Sequence, residues 1–105
     1  MNDLTEQQIR TLETLHRHGF TFVVFPLLAN YIGVKKHNCA ALLGRTAEGK
    51  LEIFGEPSYL VEGNISVLVH RRGASYFVWK LHEVEATAER LAELETFVTE
   101  LKALL

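Results

Sequence analysis

The chain has one cysteine, two prolines, one methionine and one tryptophan among 105 residues. A single cysteine excludes an intramolecular disulfide framework. No apolar run approaches the roughly 18 residues of a membrane-spanning helix. The start, Met1-Asn2-Asp3-Leu4-Thr5-Glu6, is polar and acidic, without the cationic and apolar regions of a signal or transit peptide. A cytoplasmic location, with no membrane attachment, is therefore expected. Charge is also nearly balanced. The formal net charge is -2, which makes nucleic acid an unlikely partner and argues against a general binder of anionic membranes. The glycines sit at turns and lack the spacing of a phosphate-binding loop or dinucleotide fingerprint. Ser58, Ser66 and Ser75 lie in no nucleophile-elbow context. With no convergent catalytic groups, a non-enzymatic role without a cofactor is the stronger expectation.

The five histidines are no better placed for chemistry. His16 and His18 are two apart on a helix and so point to different faces, whereas metal-binding helices prefer spacings of three or four. His37 and Cys39 would share one side of a strand, but no second ligand pair follows. Cys39 opens a run of small apolar residues and reads as a core hydrophobe. His70 and His82 flank a hairpin with no carboxylate or nucleophile obviously converging on them. No metal site is expected.

What the chain does have is strand-like sequence that is apolar on both sides. Cys39-Ala40-Ala41-Leu42-Leu43, Ile65-Ser66-Val67-Leu68-Val69 and Tyr76-Phe77-Val78-Trp79 do not alternate as a half-solvated sheet would. An apolar content of 48% and a charged content of 23% are those of a globular chain. Residues 1–105 are expected to form one small domain, at a size where self-association helps stability.

Helical sequence lies only at the two ends. Thr5 can cap the first helix with Gln8 as its capping-box partner, and Leu4 and Ile9 occupy the staple positions. Ile9, Leu12 and Leu15 make the apolar stripe, and Arg17, His18 and Gly19 mark the stop. From about Val84 to the end, Val84, Thr87, Leu91, Leu94, Val98, Leu101 and Leu105 follow a heptad-like seam about three heptads long. Ala88, Phe97 and Leu104 widen it, as suits packing on a sheet.

Between the helices, Phe20–Phe25 reads as a strand ended by Pro26. His37–Arg45 and Leu51–Phe54 form a hairpin, and Ile65–His70 and Tyr76–Leu81 a second across Arg71-Arg72-Gly73-Ala74. Gly55-Glu56-Pro57-Ser58 reads as a chain break, Tyr59–Val61 as a strand or loop, and Leu27–Val34 is open. The pattern is α+β, an antiparallel sheet of about five strands between an N-terminal and a long C-terminal helix.

Two helices cannot cover both faces of such a sheet. The leading expectation is a small interaction or adaptor domain that buries an apolar sheet face, or the helix seam, against a partner, first of all a second copy of itself in a homodimer. The alternative is a pocket over the second sheet face for a small anionic ligand. Phe25, Leu42, Leu68, Phe77 and Trp79 would line it, with Lys35, Lys36 or Arg45 orienting the anion. Arg71 and Arg72 lie beside the aromatic strand and complete the candidate set, with Trp79 the natural anchor. Bases outnumber acids from Val34 to His82, whereas the final helix is acidic.

Overall fold

The structure, a computed structural model, describes residues 4–105. Helix α1 (Glu6–Arg17) begins as its sequence dictates. The Thr5 hydroxyl accepts from the Gln8 amide at 3.1 Å, and Gln8 Oε1 accepts from the Thr5 amide at 3.0 Å. Gly19, at φ +92°, then turns the chain out of the helix. The strands β1 (Thr21–Val23), β2 (Ile32–Lys36), β3 (Cys39–Arg45), β4 (Leu51–Tyr59), β5 (Val67–Arg71), β6 (Ala74–Trp79) and β7 (His82–Glu85) follow, with a 3-10 turn at Pro26–Leu28. Helix α2 (Ala88–Leu104) closes the order.

These strands form two antiparallel sheets, β1-β2-β3-β4 and β5-β6-β7, where one sheet of about five strands was expected. The difference has local causes. The open segment Leu27–Val34 holds the 3-10 turn and most of β2, whose strand signal is interrupted by Gly33. His82–Glu85 pairs with β6 and is not the start of the last helix, which begins only at Ala88 under a Thr87 cap that accepts from the Arg90 amide at 3.2 Å. Gly55-Glu56-Pro57 does not end a strand. Leu42 faces Phe54 and Ala40 faces Ser58, so these residues bulge out of β4. Pro57 is tolerated because β4 is an edge strand. In the second hairpin, Arg72 and Gly73 both take positive φ, as the tight two-residue turn requires.

Strand β3 is buried on both faces, as its sequence demands. Cys39, Ala41 and Leu43 meet Leu15 of α1, Phe20, Val34 of β2, and Phe97 and Leu101 of α2. Ala40 and Leu42 point the other way and are covered by Phe25, with Leu28, Tyr31, Leu60 and Ile65 around it. The chain thus covers the second face of the larger sheet with its own connections. Phe25 reaches that face only because β2 carries Gly33, where a Cβ would stand 2.8 Å from the Phe25 ring and 2.5 Å from the Val23 carbonyl oxygen. The helix seam is likewise used internally, since Phe97 and Leu101 are buried and Leu94, Val98 and Leu104 pack around them. Leu91 and Leu105, at 38% and 41% exposure, and exposed Ala88 stand clear of it. Ile9, expected in the buried stripe of α1, is 43% exposed.

The acidic helix and the basic sheet meet within one chain. Lys36 Nζ lies 2.9 Å from Glu100 Oε2 and donates to the His18 carbonyl at 2.7 Å, tying β2 to both helices. The smaller sheet projects from this body. The radius of gyration is 14.3 Å and the extents are 47 × 26 × 22 Å, whereas a compact chain of this length has a radius of about 13 Å. Among the described residues, no helix is long and apolar enough to cross a membrane.

Candidate functional site

The projecting sheet has two faces with different fates. Its register places Leu68, Phe77 and Val84 in one row and Val67, Val78 and Glu83 in another on the opposite side. The inner face is anchored by Phe77, 1% exposed, which packs with Val61 and Ala86 and stacks on Tyr59 at 5.4 Å between ring centroids. The outer face carries Val67, Val69, Tyr76 and Val78 with Arg71, Glu83 and Glu85, and among the described residues no element lies over it as the helices lie over the larger sheet. Val67 is 66% exposed. Arg71, at the turn end of β5, reaches diagonally across this face to Glu83 of β7 at 2.8 Å and lies 5.2 Å from the centre of the Tyr76 ring. A partly aliphatic face crossed by an ion pair suits a protein surface better than catalysis.

A groove of about 280 Å³ lies where the two sheets meet. Phe25, Pro26, Leu27 and Leu28 form one wall, and Asn64, Ile65, Trp79 and Lys80 the other. Trp79 stacks on His82 at 5.8 Å, and Lys80 Nζ stands 5.0 Å from the indole centre. Leu27, on the rim, is 94% exposed, and Leu81, next to Lys80 in the β6–β7 turn, is 99% exposed.

Of the residues singled out from sequence, this groove brings together Phe25 and Trp79, with Leu42 packed beneath Phe25. Phe77 is in the core beside it. Leu68, 40% exposed, lies on the same sheet face as Phe77. The cations do not converge there. Lys36 is held by Glu100, and its Nζ lies 5.1 Å from the Phe20 ring centre. Lys35 sits in β2 between Thr21 and Ala40. Arg45 borders a separate depression with Tyr31 and Leu43. Arg71 pairs with Glu83, and Arg72 is exposed in the β5–β6 turn. The cation at the groove is Lys80, which sequence reasoning missed because it read Lys80 as part of a strand and not as a turn.

His37 and Cys39 do not form a pair. His37 occupies the β2–β3 turn at φ +57°, while Cys39 is fully buried. Burial, reinforced by Glu93, pushes the Cys39 thiol up to about 12, the opposite of an activated nucleophile. Among the described residues, no three His, Cys, Asp or Glu side chains group as metal ligands. No family model, curated protein or solved structure matches the chain.

Proposed function

We propose that this protein is a self-associating interaction module whose working surface is the three-stranded sheet β5-β6-β7. One observation carries this reading: the sheet is anchored on one face by Phe77, while no described helix or strand covers its outer face, where Val67 is exposed beside half-buried Val69, Tyr76 and Val78. Residual apolar surface of this kind is normally buried against a partner. The helix seam, the other candidate surface, is already occupied by the larger sheet. Light scattering across a wide dilution series tests the reading. The expected result is a concentration-dependent dimer that Val67→Lys combined with Val78→Lys converts to monomer without lowering the melting temperature of the monomer. A mass equal to one chain at every concentration overturns it.

A second reading draws on the groove. Phe25, Trp79 and Lys80 offer two aromatic walls and a cation to a small apolar anion, although the volume is at the low end for such sites. An anilinonaphthalene sulfonate probe should quench or shift Trp79 emission by saturable binding, weakened by Lys80→Gln. Linear, non-saturating changes would remove this reading.

A further inference from the structure

Building on the self-association reading, we propose that the second copy joins by antiparallel pairing of β5 with its own counterpart, centred on Val69. The two three-stranded sheets would become one continuous sheet of six. A comparison of the sheet edges carries the inference. The larger sheet ends in β1, only three residues long, and in β4, whose outer edge is broken by the Gly55–Pro57 bulge and bears Glu52 and Glu56. Strand β7 is four residues long and carries Glu83 and Glu85. Short length, bulges, proline and charge are the devices that stop an edge from pairing. Strand β5, Val67-Leu68-Val69-His70-Arg71, is one residue longer than β7 and has no bulge, proline or carboxylate, its one fixed charge being Arg71 at the end. Its only strand neighbour is β6, so one side of its backbone meets no strand among the described residues.

The chemistry fits a second copy of the same edge. A two-fold axis perpendicular to the sheet at Val69 pairs Val69 with the copy's Val69, Val67 with the copy's Arg71, and Leu68 with the copy's His70. No like charges stand directly opposed. The pairing keeps the two outer faces on one side and leaves them open, so it satisfies the backbone of the β5 edge and does not itself bury the Val67 patch. On the inner face, Leu68 is 40% exposed and His70 is exposed, so the body does not cover the strand that must be approached. An edge of this length makes a small interface, so the dimer should be weak and reversible.

Cross-linking separates this geometry from stacking of the outer faces. The native thiol, Cys39, is fully buried, so an added cysteine reports alone. In the edge-paired dimer, Val69→Cys brings two thiols to directly opposed positions, within the separation a disulfide spans. Val78→Cys places them three strand spacings and four residues of offset apart, roughly 20 Å, which is too far. Mild oxidation should therefore link the first variant and not the second. In the unmodified protein, amide exchange in β5 should slow as concentration rises. A dimer that links through Val78→Cys, or one whose β5 amides exchange at the same rate when dilute and concentrated, overturns edge pairing and leaves self-association standing. A monomer at all concentrations overturns both.

Discussion

Replacing Gly33 with alanine tests the most specific packing statement in the fold. The added Cβ would lie 2.5 Å from the Val23 carbonyl oxygen and 2.8 Å from Phe25. The carbonyl belongs to the strand paired with Gly33 and cannot swing away as a flexible side chain can. Phe25 must therefore lift from Leu42 or β1 must shift. Exposing a phenylalanine that is now 8% exposed costs about 1.5–3 kcal/mol. Residual strain adds about 1 kcal/mol, and the lower entropy of the unfolded alanine chain returns about 0.4–1 kcal/mol. The net loss is about 2–3 kcal/mol, or roughly 10–20 °C in melting temperature for a chain of this size. Gly44 is the control, since its Cβ would meet Tyr31 at 3.5 Å, an ordinary contact. Neither glycine has a positive φ. Gly44→Ala should therefore be neutral or slightly stabilising. Thermal unfolding gives the stabilities, and the emission of Trp79, which shares a groove with Phe25, reports displacement of the ring. Equal stability of the two variants, or unchanged Trp79 emission in Gly33→Ala, would refute the account of how the second face is covered.

Three further outcomes follow from the contacts of the body. Gln8 is 2% exposed, completes the α1 cap and donates through Nε2 to the Gly49 carbonyl; Gln8→Ala should cost about 1–3 kcal/mol in urea unfolding, and a loss under about 0.5 kcal/mol would contradict it. A double-mutant cycle on Lys36 and Glu100, whose side chains are 21% and 34% exposed, should give a coupling of about 1 kcal/mol. The open Glu6–Arg10 pair at 3.5 Å should give less than half of that, and the reverse order would be inconsistent with the burial difference. Cys39 ionises at about 12 when folded and near 9.0 in its unperturbed state. Between those values the unfolded chain holds fewer protons than the folded one, so stability must fall as pH rises through that window. Urea midpoints of the parent and Cys39→Ser should therefore converge from about pH 8 to about pH 10, with no convergence counting against a buried neutral thiol.

The body was legible in sequence where one local signal acts alone. The capping box at Thr5 and Gln8, the Gly19 stop and the doubly buried run Cys39–Leu43 follow from hydrogen-bond and burial rules over a few residues. Legibility failed where a distant contact decides. Gly33 looks like an interruption until Phe25 crosses it. Gly55-Glu56-Pro57 looks like an end until β3 continues to pair beyond it. Val84 fits the helical seam and β7 equally, and the partner strand β6 chooses between them. At the groove, Phe25 and Trp79 could be named from their size and apolarity, but a positively charged partner could not, because Lys80 acquires its place from a turn at φ +56°. The charge segregation was visible, and its resolution by Lys36 and Glu100 needed the packing of α2.

The distribution of cover explains why the outer face of the smaller sheet stays open. Both helices lie on one face of the larger sheet, and the connections carrying Phe25, Leu28, Tyr31 and Leu60 close the other. Among the described residues that leaves no element for the outer face of β5-β6-β7. The inner face is held by a small cluster in which Phe77, Val61 and Ala86 are the buried members, against nine buried residues in the main core. A sheet held so locally should open as a unit below the free energy of global unfolding. Binding that selects the closed sheet raises its stability by mass action. Edge pairing through β5 would therefore protect the least stable part of the molecule at high concentration and release it on dilution. Association and local order would then be coupled at the same strand, and the protection of β6 and β7 amides, which take no direct part in the pairing, should rise together with that of β5.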